Sequence, residues 1–240
     1  MKLLKGASIV VALILGVMTG TAQTATEIIN KHLEAIGGKE NLKKIKSLRL
    51  ESTMNVMGSE VPGVTTVLDG KGFRSDAEFN GEKMVQVYTE KGGWSINPMT
   101  GSKEPAPMPD DQFKSGQEQI YVIALLDIEA RGGKSELLGQ EPIGDVNAYK
   151  VKITNRDSIA TNYYFDPSTY YIVRVTKAVD MMGQPVDLKI SFSDYRKTDG
   201  GWIIPQQIES NFGDQFSMSA RVNKVDINVP VDEAIFRMGN

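Results

Sequence analysis

The sequence predicts a mainly β, α+β domain: one curved antiparallel sheet of about eleven strands, at most twelve, with two or three helices on its inner, apolar face. Three observations predict it. Apolar and polar residues alternate with period two from Ser47 onward. Hairpin dipeptides such as Asp69-Gly70 and Asn80-Gly81 separate the runs. A proline-rich stretch divides the strands into two sets, and either set alone leaves an apolar face uncovered. One continuous sheet solves that problem with the fewest assumptions.

Taken in order, the elements begin with a helix after Thr24. Thr24 and Glu27 have capping-box spacing. Ile29, Leu33 and Ile36 form one stripe, and Gly37-Gly38 stops the helix. A short second helix is expected over 41–45. Ser47–Val56 alternates cleanly, with Leu48, Leu50 and Met54 on one side and Arg49, Glu51 and Thr53 on the other. Val64–Leu68 follows Pro62-Gly63. Phe73, Ala77 and Phe79 alternate with Arg74, Asp76 and Glu78. Met84–Thr89 and Trp94–Asn97 continue the meander.

The middle of the chain differs. Pro98–Pro109 holds four prolines and reads as a loop. Asp110–Ala130 reads as an amphipathic helix carrying Phe113, Ile120, Ile123 and Leu125, ended by Gly132-Gly133. Together they make a lid. Seven further strand patterns follow: 135–138, 148–154, 160–165, 170–176, 186–195, 201–208 and 216–227. A helical turn over 231–236 packs Phe236.

Residues 1–22 read as a secretory signal peptide, leaving 23–240 as one domain. Lys2 and Lys5 precede an apolar run over 9–17, and Gly20-Thr21-Ala22 offers a cleavage site before Gln23. The chain has no cysteine, hence neither a lipidation thiol nor disulfides. A soluble periplasmic product is expected, held together by a packed core. The leader carries two lysines and no acid, so a net charge of −3 becomes −5 after cleavage. That excludes charge-driven binding to nucleic acid or an anionic membrane, and no second apolar segment is long enough to span a bilayer.

Catalytic chemistry is poorly provided for. A zinc site normally takes three or four nitrogen or sulfur ligands, and the chain offers one histidine, His32, and no thiolate. No G-x-S-x-G turn positions a serine. Asp110-Asp111 precedes a helix pattern, where acids cap amides and complement the dipole. No catalytic residue, metal or cofactor is assigned. His32 is read as a surface or half-buried structural residue.

The segments Glu27-Ile-Ile-Asn-Lys-His-Leu-Glu-Ala-Ile-Gly-Gly-Lys39 and Leu48-Arg-Leu-Glu-Ser-Thr-Met54 resemble the start of outer-membrane lipoprotein-sorting (LolA-like) proteins. Tyr164-Phe-Asp-Pro-Ser-Thr169, Phe192-Ser-Asp-Tyr195 and Gly200-Gly-Trp-Ile-Ile-Pro205 continue the resemblance, as does the ending Val225-Asp-Ile-Asn228. It covers nearly all of 23–240. It implies a half-open antiparallel barrel closed by helices, with an apolar concavity that shields acyl chains between an inner-membrane donor and an outer-membrane acceptor. Without a lipidation cysteine the chain resembles the soluble carrier rather than its anchored receptor partner. The carrier's lid is held by an arginine inside the barrel. Arg49 and Arg74 alternate opposite the apolar residues, so neither is assigned that role.

The expected ligand is therefore a lipoprotein or another lipidic molecule, bound by a monomer. Leu48, Leu50, Met54, Phe73 and Phe79 are expected to line the concavity. So are Tyr88, Trp94, Ile120 and Phe192, and Tyr164 falls in the same aromatic set. Eleven methionines, among them Met54, Met57, Met84, Met99, Met108, Met181, Met182 and Met218, suit a pliable apolar surface. The alternative is a non-enzymatic periplasmic sensor or envelope-assembly module with a filled core, recruiting partners by strand addition at a sheet edge.

Overall fold

A computed structural model describes residues 23–240, apart from 57, 99–100, 182–183, 214–215 and 240. The signal-peptide expectation and Met57, Met99 and Met182 fall outside the described residues, as does the side chain of Met181.

Helix α1 (Ala25–Ala35) starts as its sequence dictates. Thr24 accepts from the Glu27 amide at 3.2 Å, and the Glu27 carboxylate accepts from the Thr24 amide at 2.9 Å. Gly37 and Gly38 follow at positive φ, where a side chain would be strained. A four-residue helix, α2 (Lys39–Leu42), completes the N-terminal cap.

Thirteen strands then form one open antiparallel sheet. The first six are β1 (Ser47–Val56), β2 (Ser59–Leu68), β3 (Gly72–Phe79), β4 (Glu82–Thr89), β5 (Gly93–Asn97) and β6 (Ser102–Pro107). The rest are β7 (Lys134–Ile143), β8 (Val146–Thr154), β9 (Ala160–Phe165), β10 (Ile172–Met181), β11 (Gln184–Lys197), β12 (Ile203–Phe212) and β13 (Phe216–Ile227). The spatial order runs β6 to β1, then β13 down to β7. The two strand sets are thus joined by one long-range pairing, β1 on β13, with Leu48 opposite Ile227 and Met54 opposite Ala220.

Two proline segments depart from expectation. The stretch read as a loop contains β6, which pairs Trp94 with Pro107 and Ser95 with Ala106. It is the edge strand, so Pro105 and Pro107 need no outward donor there. Pro62-Gly63, read as a break, lies inside β2. The β2–β3 ladder begins at Gly63, so Pro62 stands just beyond it and its missing N–H costs no bond to β3. The Asn80-Gly81 turn adopts positive φ at both residues, as a two-residue hairpin requires.

The expected 21-residue helix is also corrected. Helix α3 covers only Asp110–Gly116, followed by a 3-10 turn at Gln117–Ile120 and another at Glu129–Arg131. Tyr121 is extended, and Asp127 has φ 51°, either of which ends a helix. Pro109 rather than an acid occupies the cap position, with no side-chain cap bond, so Asp110 and Asp111 act through the dipole alone.

The core follows from this topology. Ile28, Ile29 and Leu33 of α1 pack on Val151, Ile153 and Phe165 of β8 and β9. Each fully buried side chain of this size contributes about 1.5–3 kcal/mol. Tyr88, Met108 and Ile120 form a second cluster under the 3-10 turn, with Phe73 and Phe113 against it. A third cluster, Val85, Val87, Trp94 and Phe236, lies on the opposite face of the sheet.

Candidate ligand-binding site

The two edges of the open sheet, β6 and β7, are consecutive strands in the chain. The segment between them, 108–133, connects those edges across the helix-bearing face. It is the cover of the concavity, and it bounds two cavities on that face.

One cavity, about 150 Å³, lies between this segment and strands β8 to β11. Ala124, Ile128, Ile153, Tyr163, Val175 and Ile190 are among its apolar lining, with Glu118 and Arg131 as charged members. Burial pushes the Tyr163 hydroxyl up to about 12, so it stays a neutral donor. Lys177 of β10 enters the same cavity, and its Nζ donates to the Ser115 carbonyl at the end of α3, 3.2 Å away. Burial holds that ammonium below its usual pKa. Arg131 stacks on Tyr121 at 3.8 Å and bonds the Ala124 carbonyl, which ties the segment to itself.

The second cavity, about 250 Å³, lies between α1, residues 122–125 and strands β10 to β12. Its wall includes Ile36, Ile123, Leu125, Ile172, Phe192 and Ile204, with His32, Tyr195 and Trp202 as its polar-bearing members. No charged side chain lines it. His32 is 5% exposed, more buried than the sequence suggests. Its Nδ1 lies 2.8 Å from the Tyr170 carbonyl oxygen and must carry the proton. Burial lowers its pKa to about 4, partly offset by that bond, so the ring is neutral.

The register shows where the expected lining residues stand. Leu48, Val67, Phe73 and Tyr88 are successive cross-strand partners and share the helix-bearing face. Leu50, Met54 and Phe79 belong to that face by alternation. Tyr88 is 3% exposed and Ile120 2%, and both are filled core rather than cavity wall. Burial raises the Tyr88 hydroxyl to about 12, opposed by a hydrogen bond to Gln119. Phe192 alone of the expected set lines either helix-side cavity.

Two aromatics belong to the other side. Trp94 pairs with Val87 and Val87 with Arg74, which places all three on the face away from α1. The C-terminal 3-10 turn (Glu233–Phe236) covers Trp94 there. Tyr164 is likewise opposite Tyr163 and Phe165, beneath Lys150. Alternation by itself does not say which face a short strand such as β5 presents, because Trp94 and Ile96 face a second apolar cluster. A hollow of about 700 Å³ borders Trp94 on that face, with charged residues such as Glu51, Arg74, Asp76 and Lys83 set among apolar ones such as Val64, Val85 and Ile96. Arg74 is committed to Asp76 at 2.8 Å and to the Ile235 carbonyl at 2.7 Å. Lys177, His32 and Trp202 were missed. Lys177 stands between Val175 and Val179 on one period-two face, and that pattern is the available signal.

Among the described residues, no group of three or more His, Cys, Asp or Glu is placed to hold a metal ion. No described helix is long and apolar enough to cross a membrane.

Three solved structures share the whole architecture, each at TM-score 0.58. One is a putative outer membrane lipoprotein-sorting protein domain from Vibrio parahaemolyticus, 13% identical, covering 88% of this chain and 95% of that one. Another is a LolA superfamily protein from Nitrosomonas europaea, 14% identical, covering 90% and 98%. The chain has a LolA-like fold. The third, a DUF1329 family protein from Desulfovibrio piger, is 16% identical over 90% of this chain and 98% of that one. No family model matches the sequence, and no curated protein matches it. The LolA-like likeness therefore speaks for the fold, and the open sheet with helices on its concave face is the part of the sequence reading that it supports.

Proposed function

We propose that the protein is a non-enzymatic periplasmic carrier, exported by residues 1–22, that holds a lipoprotein acyl chain or another lipidic ligand between the concave face and segment 108–133. The observation that carries this reading is the pair of mainly apolar cavities beneath a cover joining the two open edges. The LolA-like fold supports it, since one neighbour is described as lipoprotein-sorting. Burial of an acyl chain supplies about 0.8 kcal/mol per CH2 group. The cover is a set of short turns rather than one rigid helix, which allows the cavities to enlarge and the cargo to leave toward the outer membrane. Phe73, Leu48, Leu50, Met54 and Phe79 would meet a longer chain once the cover lifts.

The test is native mass spectrometry of the mature protein purified from the periplasm without detergent, with organic extraction of any bound mass. An extracted phospholipid, fatty acid or acylated peptide supports the carrier. A clean apo mass that takes up no fluorescent lipid removes it.

The filled cluster around Tyr88 and Ile120 favours a second reading, an interaction module. Its binding edge would be β7 rather than β6, since Pro105 and Pro107 withhold donors from the β6 edge. Leu138 on β7 is 44% exposed. A protein partner cross-linked to β7 in lipid-free material would establish it.

A further inference from the structure

Within the carrier reading, on which this step rests, we infer that the cavity beside Lys177 takes the free carboxylate of a fatty acid. An ammonium with no acid partner, in a mainly apolar cavity, carries the inference. Three charged side chains line that cavity: Glu118, Arg131 and Lys177. Glu118 and Arg131 pair with each other at 3.7 Å. Lys177 donates to the neutral Ser115 carbonyl and has no ion pair among the described residues. Desolvation is the only cause of its lowered pKa, so no nearby acid offsets it. An unpaired, desolvated ammonium is unfavourable, and an anion entering the cavity relieves it.

Two hydroxyl groups belong to the same wall. The β9–β10 ladder pairs Tyr163 with Val175, and Thr161 stands beside Lys177 one step past the Asn162–Thr176 pair. Thr161 and Tyr163 both line the cavity, and neither hydroxyl bonds another described residue. Neither is sealed off, unlike the Thr198 hydroxyl, so both keep surface that a ligand can reach. One carboxylate oxygen can therefore accept from the Lys177 ammonium and the other from an O–H of this wall. The head group carries one negative charge, because one positive charge is uncompensated. It is also small, because about 150 Å³ holds a group of roughly benzene size. A glycerophosphodiester is too large, and an esterified acyl chain brings no charge. The first methylenes of the acid meet Ile153, Val175 and Ile190.

The probes are octanoate, methyl octanoate and octyl phosphate at neutral pH, titrated calorimetrically into the full mature protein. Octanoate should bind at least about tenfold more tightly than its methyl ester. Lys177→Met should abolish that preference. The preference compares two ligands on one variant, so a general loosening of the cover cancels from it. Thr161→Val, which keeps the branched shape and removes the hydroxyl, should lower the preference about threefold, and it tests the site even where the lysine variant does not fold. Equal affinity for acid and ester overturns the inference, and so does a preference that survives Lys177→Met. Tighter binding of octyl phosphate than of octanoate overturns the choice of head group. Uptake of a fluorescent phosphatidylcholine, measured on the same sample, separates this site from the carrier reading. Uptake without any preference for the acid defeats the carboxylate site alone, and no binding of any probe defeats both.

Discussion

The indole Nε1 of Trp94 donates to the carbonyl oxygen of Phe236 at 2.9 Å, closing 142 residues of chain on the face of the sheet away from α1. Gly72 lies directly beneath the Phe236 ring. A Cβ there would come within 2.6 Å of it, so the turn fits only over glycine. Trp94→Phe should lower stability by about 1–3 kcal/mol, because it strands a buried carbonyl. Lipid uptake should stay unchanged, because this ring faces away from the cavities. Urea unfolding with a parallel uptake assay checks both, and lost uptake in a folded variant would put the ligand on the far face instead.

Gly116 sits at the end of α3 against the Tyr88 ring, with no room for a methyl group. Gly116→Ala should therefore displace the cover and cost about 1–3 kcal/mol by overpacking. Gly92→Ala, with open space around it, is the control. Urea midpoints of the two variants should differ clearly; identical midpoints would mean that the cover is not pinned there.

Lys177 holds the Ser115 carbonyl from the sheet side. Lys177→Met removes a charged donor worth about 1.5–3 kcal/mol to that contact. Amide exchange over 113–120 should accelerate at least about tenfold, with β1 and β13 unaffected. An unchanged exchange rate would remove Lys177 as a fastening of the cover.

His32 links stability to pH. Its folded pKa, about 4, lies below the ordinary 6.5, so the unfolded chain binds the proton more readily between those values. Stability should fall as pH drops from 6.5 toward 4, by about 3 kcal/mol in total. Carboxylates titrate mainly below pH 5, so the window from 6.5 to 5 isolates the histidine. His32→Asn should flatten that part of a chemical-denaturation profile. A wild-type profile already flat there would show that the imidazole is not buried neutral.

Much of the fold was legible because its signals are local. The Thr24 cap, the Asn80-Gly81 turn and the alternation in β1, β9 and β13 each need only a few neighbouring residues, and the bounds 47–56, 160–165 and 216–227 agree with the structure. Where a strand's identity depends on its position in the sheet, local reading failed. Proline in β6 reads as loop until the strand is known to be an edge, and Pro62 reads as a break until the β2–β3 ladder is known to begin after it. The helix expected over 110–130 shows the same limit. Its apolar spacing is real, but the residues must follow the sheet from one edge to the other, and close packing against Tyr88 breaks the helix into turns.

By itself the sequence determined the class of fold, the faces along β1 and β3, and the poverty of catalytic groups, since residue type and period two are properties of the chain alone. Only the tertiary structure decided that β1 joins β13, that Trp94 and Tyr164 face away from the cavities, and that His32, Lys177 and Trp202 stand beside them. Those outcomes depend on which strand lies next to which, and pairing between residues nearly two hundred positions apart is set by the burial of whole faces, which no local window contains.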